Sequence, residues 1–406
     1  MPQPEVLATW DVPTADPEAH ASTLIVADHS VMPAAIYQVP VVSRPRSASS
    51  VLDSPHVVSA DEHRVITDAP HDHAFARALL EQITAGPTDT ALPEVLVGEQ
   101  SNTSIIFRRE GEQPIIVKLF RRLHPGVNPD IELQSALSGA HSPNVPPFVG
   151  ALSGDWPPAE GDGLDHGPLA FGQQFFPGVD DAWRVSLHAA HMNEDFTARA
   201  HALGEATAGI HVALSRLFPT GECTADDRDA ARAAWGRRLD IATSEVPELE
   251  AMRARIEAVY SRALEVSWPD SQRIHGDLHL GQAILVPERG WVLLDFEGEP
   301  MRPMAERIQR DLALRDVAGM LRSFDYVAGA LTRDDPAQAD TVHTWSEQAR
   351  SSFIAGYEKT AFSDVHGPLL DALELDKAVY EAIYEARNRP DWLPIPLAAI
   401  NRLVAN

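Results

Sequence analysis

The feature that most constrains the fold is a change in sequence pattern after Pro177. Before this residue, short apolar segments are separated by Pro, Gly, Ser and Asp, which is typical of strands and turns. After it, segments such as FTARAHALGEATAGIHVALSRLF repeat their apolar residues with the 3.6-residue period of a helix. A chain of 406 residues also exceeds what one hydrophobic core usually serves. The sequence therefore predicts at least two lobes, the first rich in strands and the last mostly helical.

Composition narrows the classes of partner. The net charge of −26 disfavours binding to nucleic acid or to anionic lipid, whose phosphates attract basic proteins. The single cysteine, Cys223, excludes an intramolecular disulfide framework and a Cys-rich zinc site. No signal peptide or membrane-spanning segment is apparent. We expect a cytoplasmic protein that acts on a small molecule, and the sequence leaves its oligomeric state open, with a monomer compatible.

Three strands are predicted between residues 95 and 120, and the third carries Lys118. The helix predicted over NPDIELQSALSGA contains Glu132, which could pair with the Lys118 ammonium. The polar segment between the first two strands is predicted to cover phosphate groups, because small hydroxyl and amide residues let a backbone approach them closely. Its residues are Ser101, Asn102, Thr103 and Ser104. The alternatives are a strand-edge charge and a polar hairpin turn.

The segment RIHGDLHLGQAILVPERGWVLLDFEGEP at residues 273–300 brings two acids and an amide close together in sequence. Phosphoryl transfer from ATP needs a base, a lysine for the phosphates and oxygen ligands for magnesium. Asp277 is the candidate base, and Gln282, five residues later, and Asp295, after an apolar run, are candidate Mg²⁺ ligands. The alternatives are turn-forming roles for both acids.

Gln174 and Phe176 end the last strand predicted before Pro177. In a kinase this position is the hinge, where backbone groups contact adenine. A buried strand end is the alternative.

Nine ordered segments, spanning roughly residues 95–404, resemble the aminoglycoside-phosphotransferase-like kinases, and most closely the maltokinases and glucosamine kinases among them. The segments are EQSNTSIIF, VKLFRR, NPDIEL, LGEATAGIH, HGDLHLGQ, LLDFEGEP, LRDVAGMLRSF, ELDKAVYEAIYEAR and RPDWLPIPL. The resemblance implies a bilobal α+β fold like that of eukaryotic protein kinases. It implies an N-lobe over 89–177 and a helical C-lobe over 178–406. The short apolar segments that precede them predict a separate β-rich cap over residues 1–88.

The resemblance also implies roles for matching residues. Asp277 would be the catalytic base, Gln282 and Asp295 would hold Mg²⁺, and Lys118 with Glu132 would anchor the phosphates of ATP. Six further residues are candidates for contact with a sugar substrate, to which Asp277 would also bind: Arg315, Asp316, Tyr380, Glu381, Glu385 and Trp392. For these the alternatives are a solvated face of salt-bridging charges on the helix and, for Trp392, an anchor that packs the terminal segment.

The resemblance favours glucosamine as the substrate, because the N-terminal segment lacks the Arg-Trp-containing opening associated with maltokinases. Phosphorylation of maltose or of an aminoglycoside remains an alternative. Outside the kinases, His275, Asp277 and His279 could bind the metal of a hydrolase if they shared one strand face. A kinase-like binding module without catalysis is the third class.

Overall fold

The computed structural model describes residues 4–48, 55–86, 90–96, 102–300 and 302–405, and the chain forms two compact units. The first unit comprises Met1–Ser135 and Pro146–Pro177, and the second comprises Ala136–Val145 and Gly178–Asn406. Strands dominate the first unit and helices dominate the second. The predicted α+β class, with a β-rich N-terminal region and a helical C-terminal region, is therefore confirmed.

The first unit contains two antiparallel sheets. Its elements are β1 (Glu5–Val12), β2 (His20–Asp28), β3 (Ala35–Pro45), β4 (Val57–Ala60), β5 (Arg64–Asp68), α1 (His73–Thr84), β6 (Leu92–Val95), β7 (Asn102–Arg108), β8 (Ile115–Phe120), β9 (Arg122–Leu123), the start of α2 (Pro129–Gly139), β10 (Phe148–Trp156) and β11 (Asp165–Gln174). One sheet has the order β1-β2-β3-β5-β4, with β9 beside β3, and the other has the order β10-β11-β8-β7-β6.

Helix α1 supplies much of the core of the first unit. Asp72 precedes its first residue and caps the helix, because its carboxylate accepts a hydrogen bond from the Ala74 N–H at 2.9 Å. Its apolar stripe, which includes Leu79 and Ile83, packs in one buried cluster with Ile105 of β7 and residues of β8. This packing fixes β8, the strand that carries Lys118.

The N-terminal strands are joined to that region by backbone and side-chain bonds. Strand β9 pairs with β3, and the buried amide of Gln38 donates hydrogen bonds to the carbonyl oxygens of Phe120 at 2.8 Å and Leu169 at 3.0 Å. The separation of a cap over residues 1–88 from an N-lobe over 89–177 stays a prediction.

The second unit contains the end of α2 and one strand pair among helices. Its further elements are α3 (Ala182–His191), α4 (Thr197–Leu217), α5 (Ala225–Glu245), α6 (Arg253–Glu265), β12 (Ala283–Val286), β13 (Gly290–Leu293), α7 (Met304–Arg307), α8 (Leu314–Asp334), α9 (Ala339–Ala361), α10 (Pro368–Asn388) and α11 (Pro394–Ala405). Across the ranges given above, every helix is too short or too polar to cross a membrane.

Aromatic side chains form the centre of the second unit. The ring of Phe324 on α8 lies 6.3 Å from the ring of Phe196, 6.3 Å from that of Trp345 and 6.2 Å from that of Phe353, which are the separations of edge-to-face pairs. Because Trp345 and Phe353 belong to α9, these contacts lock α8 against α9. Helix α8 is thereby a rigid support for the loop that carries Asp277.

Candidate active site

Asp277 lies on a loop that precedes β12 and is neither helix nor strand. Gly276 has φ +85°, in the left-handed region that favours glycine, and a Cβ there would lie 3.3 Å from the Cα of Gly298. The glycine lets the chain turn sharply between His275 and Asp277. The Asp277 side chain keeps 22% of its surface exposed, so its carboxylate is accessible.

Asp316 on α8 holds this loop by its backbone. Its carboxylate accepts hydrogen bonds from the N–H groups of His275 at 2.8 Å and Gly276 at 2.9 Å. Asp316 is only 1% exposed. Both of its carboxylate oxygens are engaged inside the protein, and contact of Asp316 with the substrate stays a prediction. Its contacts make it the support of the catalytic loop.

A second buried side chain supports Asp316. The Nε2 of His211 on α4 lies 2.9 Å from Asp316 Oδ2, and its Nδ1 lies 2.8 Å from the Tyr357 hydroxyl. Since a carboxylate accepts, Nε2 carries the proton, and in the neutral ring Nδ1 accepts from Tyr357. Burial alone would raise the pKa of Asp316, but the hydrogen bonds from His211 and from the Gly276 N–H help to outweigh it, and that pKa is lowered. Asp316 is therefore ionised at neutral pH.

His275 ties the loop to the chain that follows β13. Its Nε2 lies 2.9 Å from the carbonyl oxygen of Leu294, which can only accept, so Nε2 is the protonated nitrogen. The other nitrogen, Nδ1, lies 3.4 Å from the Asp277 backbone nitrogen and can accept from its N–H. His275 is thus a structural link between Asp277 and the segment that contains Asp295.

Helix α8 also touches the loop through a glycine. A Cβ on Gly319 would lie 2.5 Å from the carbonyl oxygen of Leu278, closer than real contacts allow. One turn further, the Ser323 hydroxyl accepts a hydrogen bond from the Leu280 N–H at 3.2 Å. The loop is therefore seated directly on the backbone of α8.

Gln282 and Asp295 meet beside the strand pair. The Leu294 N–H donates to the Gln282 carbonyl oxygen at 2.8 Å, a backbone bond that continues the register in which Ala283 faces Leu293. The Gln282 Nε2 lies 3.1 Å from Asp295 Oδ2. Strand β13 ends at Leu293, and Asp295, which follows it, has φ +65°. The side chains of Gln282 and Asp295 reach the same point, and both carry the oxygen atoms that Mg²⁺ prefers, so the pair fits a magnesium site.

A polar pocket lies beside Asp277 in the second unit. Its lining includes Lys377 and Tyr380 of α10, Arg315 of α8, and Glu299. The Lys377 ammonium lies 3.7 Å from Asp277 Oδ1 and 3.6 Å from Glu299 Oε1. Burial opposes the charge on Lys377, but the carboxylates of Glu299 and Asp277 outweigh it and raise the pKa of Lys377. Lys377 is therefore charged at neutral pH.

Arg315 is held by two acids of this pocket region. Its Nε donates to Asp311 at 2.7 Å, and its Nη1 lies 3.8 Å from Asp376. Contact of Arg315 and Tyr380 with the substrate stays a prediction. Both residues line the pocket beside Asp277, which is compatible with such contact.

The acids on the next turns of α10 are paired with arginines. Glu381 accepts a hydrogen bond at 2.8 Å from Arg322, whose side chain is 1% exposed. Glu385 accepts from the Tyr326 hydroxyl at 2.8 Å and from Arg389 at 2.6 Å. These contacts match the alternative of salt-bridging charges, and substrate contact by Glu381 and Glu385 stays a prediction.

Trp392 lies in a short turn after α10, with protein groups over its ring. The guanidinium carbons of Arg333 and Arg389 are 4.2 Å and 4.7 Å from the ring centroid, and the Tyr326 ring is stacked at 6.2 Å. Stacking on a sugar would have to displace one of these groups. The contacts favour the alternative, in which Trp392 anchors the terminal segment.

In the first unit, Lys118 is paired with an acid that the sequence analysis missed. Its ammonium donates to Asp130 Oδ2 at 2.9 Å, and Asp130 is 1% exposed. The prediction named Glu132, two residues further along α2. Residues two apart point to opposite sides of a helix. The Asn128 side chain accepts from the Asp130 N–H at 2.8 Å, which places Asp130 in the first turn.

The segment predicted to form a phosphate-covering loop is partly a strand. Asn102, Thr103 and Ser104 begin β7 and face Phe120, Leu119 and Lys118 of β8. Their position as loop residues was wrong, because pairing with β8 satisfies their backbone in the sheet. The Thr103 hydroxyl accepts from Arg121 at 2.8 Å. Ser101 lies outside the described residues.

The predicted hinge residues lie at and after the end of β11. The Gln174 N–H donates to the Pro147 carbonyl at 2.9 Å, so that backbone donor is already used. The Gln174 side chain donates to Gln113 at 3.2 Å. Phe176 follows the strand and is partly buried. Contact of Gln174 or Phe176 with adenine stays a prediction.

A family comparison decides the class of this protein. The model of the phosphotransferase enzyme family matches residues 94–357, well over half of the chain. The chain belongs to the phosphotransferase enzyme family. This phosphotransferase is a kinase that acts on an alcohol group, as its family and its relatives indicate.

Individual relatives are similar to this phosphotransferase over more than half of its length. A glucosamine kinase from Streptacidiphilus jiangxiensis is 29% identical over 378 residues, which are 86% of this chain and 80% of that protein. A glucosamine kinase from Mycolicibacterium smegmatis is 28% identical over 246 residues, 57% of this chain and 61% of that protein. A solved glucosamine kinase in complex with glucosamine, ADP and inorganic phosphate has a TM-score of 0.71 at 24% identity, covering 99% of this chain and 94% of that one.

The metal-dependent hydrolase is not supported in this phosphotransferase. His275, Asp277 and His279 lie on an irregular loop and not on one strand face. The ring nitrogens of His275 face Leu294 and Asp277, and the Nδ1 of His279 accepts from the Gly281 N–H at 3.0 Å. The two histidine rings therefore stabilise the loop, and they do not form a ligand set with Asp277.

Proposed function

We propose that this phosphotransferase is an ATP- and Mg²⁺-dependent glucosamine kinase. The observation that carries the proposal is the arrangement around Asp277: an accessible carboxylate on a loop fixed by Asp316, with Gln282 and Asp295 meeting at 3.1 Å on the adjoining segment. The glucosamine kinases among its relatives support the choice of acceptor. A cytoplasmic location and the oligomeric state stay predictions from the sequence.

In the proposed reaction, Asp277 acts as the base. The acceptor hydroxyl gives its proton to the Asp277 carboxylate while its oxygen forms a bond to the γ-phosphorus of ATP. The bond between that phosphorus and the β,γ-bridging oxygen breaks, and ADP leaves. Asp277 then releases the proton to water. The backbone bonds from Asp316 hold Asp277 in place during this step.

Magnesium would be held by the Asp295 carboxylate and the Gln282 amide oxygen. When bound, Mg²⁺ neutralises charge on the phosphate oxygens. In the first unit, we propose that Lys118, fixed by Asp130, contacts the phosphates of ATP. Glu132, Ser101, Asn102, Thr103 and Ser104 stay candidates for the nucleotide, as do Gln174 and Phe176.

The acceptor would lie against Asp277, in the pocket lined by Glu299, Lys377 and Tyr380. The ammonium of glucosamine distinguishes this sugar from glucose, and a carboxylate is the natural partner for it. Glu381 and Glu385 of α10 are our candidates for that partner, which requires that the ammonium compete with Arg322 and Arg389 for them. Arg315, which lines the pocket, is a candidate for a sugar hydroxyl.

An acceptor panel tests the function. The purified protein is given ATP, Mg²⁺ and either glucosamine, glucose, maltose or an aminoglycoside, and ADP release and phosphorylated product are measured. We expect kcat/KM for glucosamine to exceed that for glucose about a hundredfold, because a site built for a charged group rejects an analogue that lacks it. Preferential phosphorylation of maltose or the aminoglycoside, or no transfer to any of the four, would contradict the proposal.

A further inference from the structure

Lys377 joins α10 to two other segments of the second unit. Its ammonium lies 3.7 Å from Asp277 Oδ1 on the catalytic loop and 3.6 Å from Glu299 Oε1 on the segment after β13. The ring of Tyr380, one helical turn along α10, lies 5.3 Å from the same ammonium. Lys377 is thus the cation that faces the candidate base.

The choice of lysine at this position is unusual for this chain. Lys118, Lys359 and Lys377 are its only lysines among 33 basic residues. The other cations of the pocket, Arg238, Arg302 and Arg315, are arginines. A guanidinium is a planar fork that prefers paired hydrogen bonds, whereas an ammonium is a compact point charge. The compact ammonium of Lys377 can neutralise the carboxylates of Asp277 and Glu299, which belong to different segments, without a bidentate hydrogen bond to either.

Glu299, one of the two acids that face the Lys377 ammonium, is held in turn by an arginine. Glu299 is itself fixed by Arg302 at 3.2 Å, and Arg302 also reaches Asp311 at 3.3 Å. Among the ion pairs of the described residues, a single one joins Lys377 and these pocket acids to the carboxylate of Asp277. It is the 3.7 Å contact between the Lys377 ammonium and Asp277 Oδ1. That separation is longer than a hydrogen bond, so the contact acts through charge.

We propose that Lys377 is a positioning residue for phosphoryl transfer, whose ammonium bridges Asp277 and Glu299 and so orients the base. The proposal rests on the proposed function, in which Asp277 accepts the proton of the sugar hydroxyl. It predicts that the charge at position 377, and not only the volume of the side chain, sets kcat.

The proposal is tested by removing the positive charge at position 377 and restoring it chemically. Lys377→Cys is prepared and treated with 2-bromoethylamine, which adds an ammonium at nearly the length of lysine, or with iodoacetamide, which adds a neutral amide. The one native cysteine, Cys223, is buried, and mass spectrometry confirms modification at position 377 alone. With ATP and glucosamine, we expect kcat to fall at least about tenfold in the variant, with the KM for ATP within about twofold. Aminoethylation restores most of kcat and the neutral adduct does not.

Controls separate the possible failures. Lys359→Cys, at a lysine with 66% of its side chain exposed, receives the same reagents and keeps its kcat. If Lys377→Cys does not fold, Lys377→Met, which keeps the methylene chain, supplies the same test of kcat. Near-normal kcat in the unmodified Lys377 variant, or equal restoration by both adducts, would overturn the proposal. Near-normal activity of Asp277→Asn would instead overturn the proposed function itself.

Discussion

The loop of residues 275–277 and the C-terminal part of α10 both carry acids, but they hold them in different ways. Asp277 is fixed through its neighbours, because Asp316 binds the N–H groups of His275 and Gly276. On α10, the carboxylates of Glu381 and Glu385 are themselves bound by arginines. The Asp277 carboxylate, which faces Lys377 at 3.7 Å, beyond hydrogen-bond distance, is available for chemistry. A carboxylate that is hydrogen-bonded to an arginine contributes first to stability.

The largest effect is expected at the anchor of the loop. Asp316→Ala would remove the acceptor of two buried N–H groups and of His211, and we expect it to lower the free energy of unfolding by about 3–5 kcal/mol. Urea unfolding measures this. Asp334→Ala, at a side chain that is 67% exposed, should change it by less than about 0.5 kcal/mol. A loss below about 1 kcal/mol in Asp316→Ala would show that the loop does not depend on its anchor.

The pH dependence of that anchor has a definite sign. His211 and the Gly276 N–H lower the pKa of Asp316 below its ordinary value of 3.8, despite burial. The stability that Asp316 contributes is therefore present above pH 3.8 and is lost as pH falls through the lowered pKa. The difference in unfolding free energy between the unaltered protein and Asp316→Asn should be constant above about pH 5 and shrink in acid. A difference that already shrinks between about pH 6 and 8 would contradict the assignment of the effect to Asp316.

On α10, a smaller effect is expected. Glu385→Gln keeps the shape of the side chain but removes the charge that binds Arg389, so the unfolding free energy should fall by about 1–2 kcal/mol. Glu347→Gln, on the exposed face of α9, is the matched control. If Glu385 also binds the ammonium of glucosamine, the KM for glucosamine rises at least about tenfold while the KM for ATP does not change. An unchanged KM for glucosamine would remove Glu385 from the sugar site.

Trp392 should give the smallest effect. Trp392→Leu would remove the ring that Arg333 and Arg389 lie over, and exposed cation–π contacts contribute about 0.5–1 kcal/mol each. We therefore expect a loss of about 1 kcal/mol in unfolding free energy and a KM for glucosamine within about twofold of the original. A large rise in the KM for glucosamine with an unchanged free energy of unfolding would instead show that Trp392 contacts the sugar.

The sequence could predict those parts of the site that lie close together along the chain. Asp277, Gln282 and Asp295 fall within one short segment, and their spacing was enough to propose roles for them. The strand that carries Lys118 was also predictable from its apolar run, and the helix that carries Asp130 from Pro129 at its start. Family membership then confirmed the class of reaction.

Contacts between distant segments could not be predicted in this way. Asp316 is far from His275 in sequence, and only the fold of α8 brings its carboxylate to that N–H group. Lys377 reaches Asp277 from α10 for the same reason. The choice between Asp130 and Glu132 needed the direction of each side chain on α2, because both acids occupy the first turn of that helix.

The most direct test of the account is a single-turnover measurement on Asp277→Asn. Radiolabelled ATP and glucosamine are mixed with excess enzyme, and the appearance of the phosphorylated sugar is followed in time. The account predicts a transfer rate lower by about 100- to 10,000-fold, with dissociation constants for both ligands nearly unchanged. A transfer rate within a few-fold of that of the unaltered protein would contradict the assignment of Asp277 as the base.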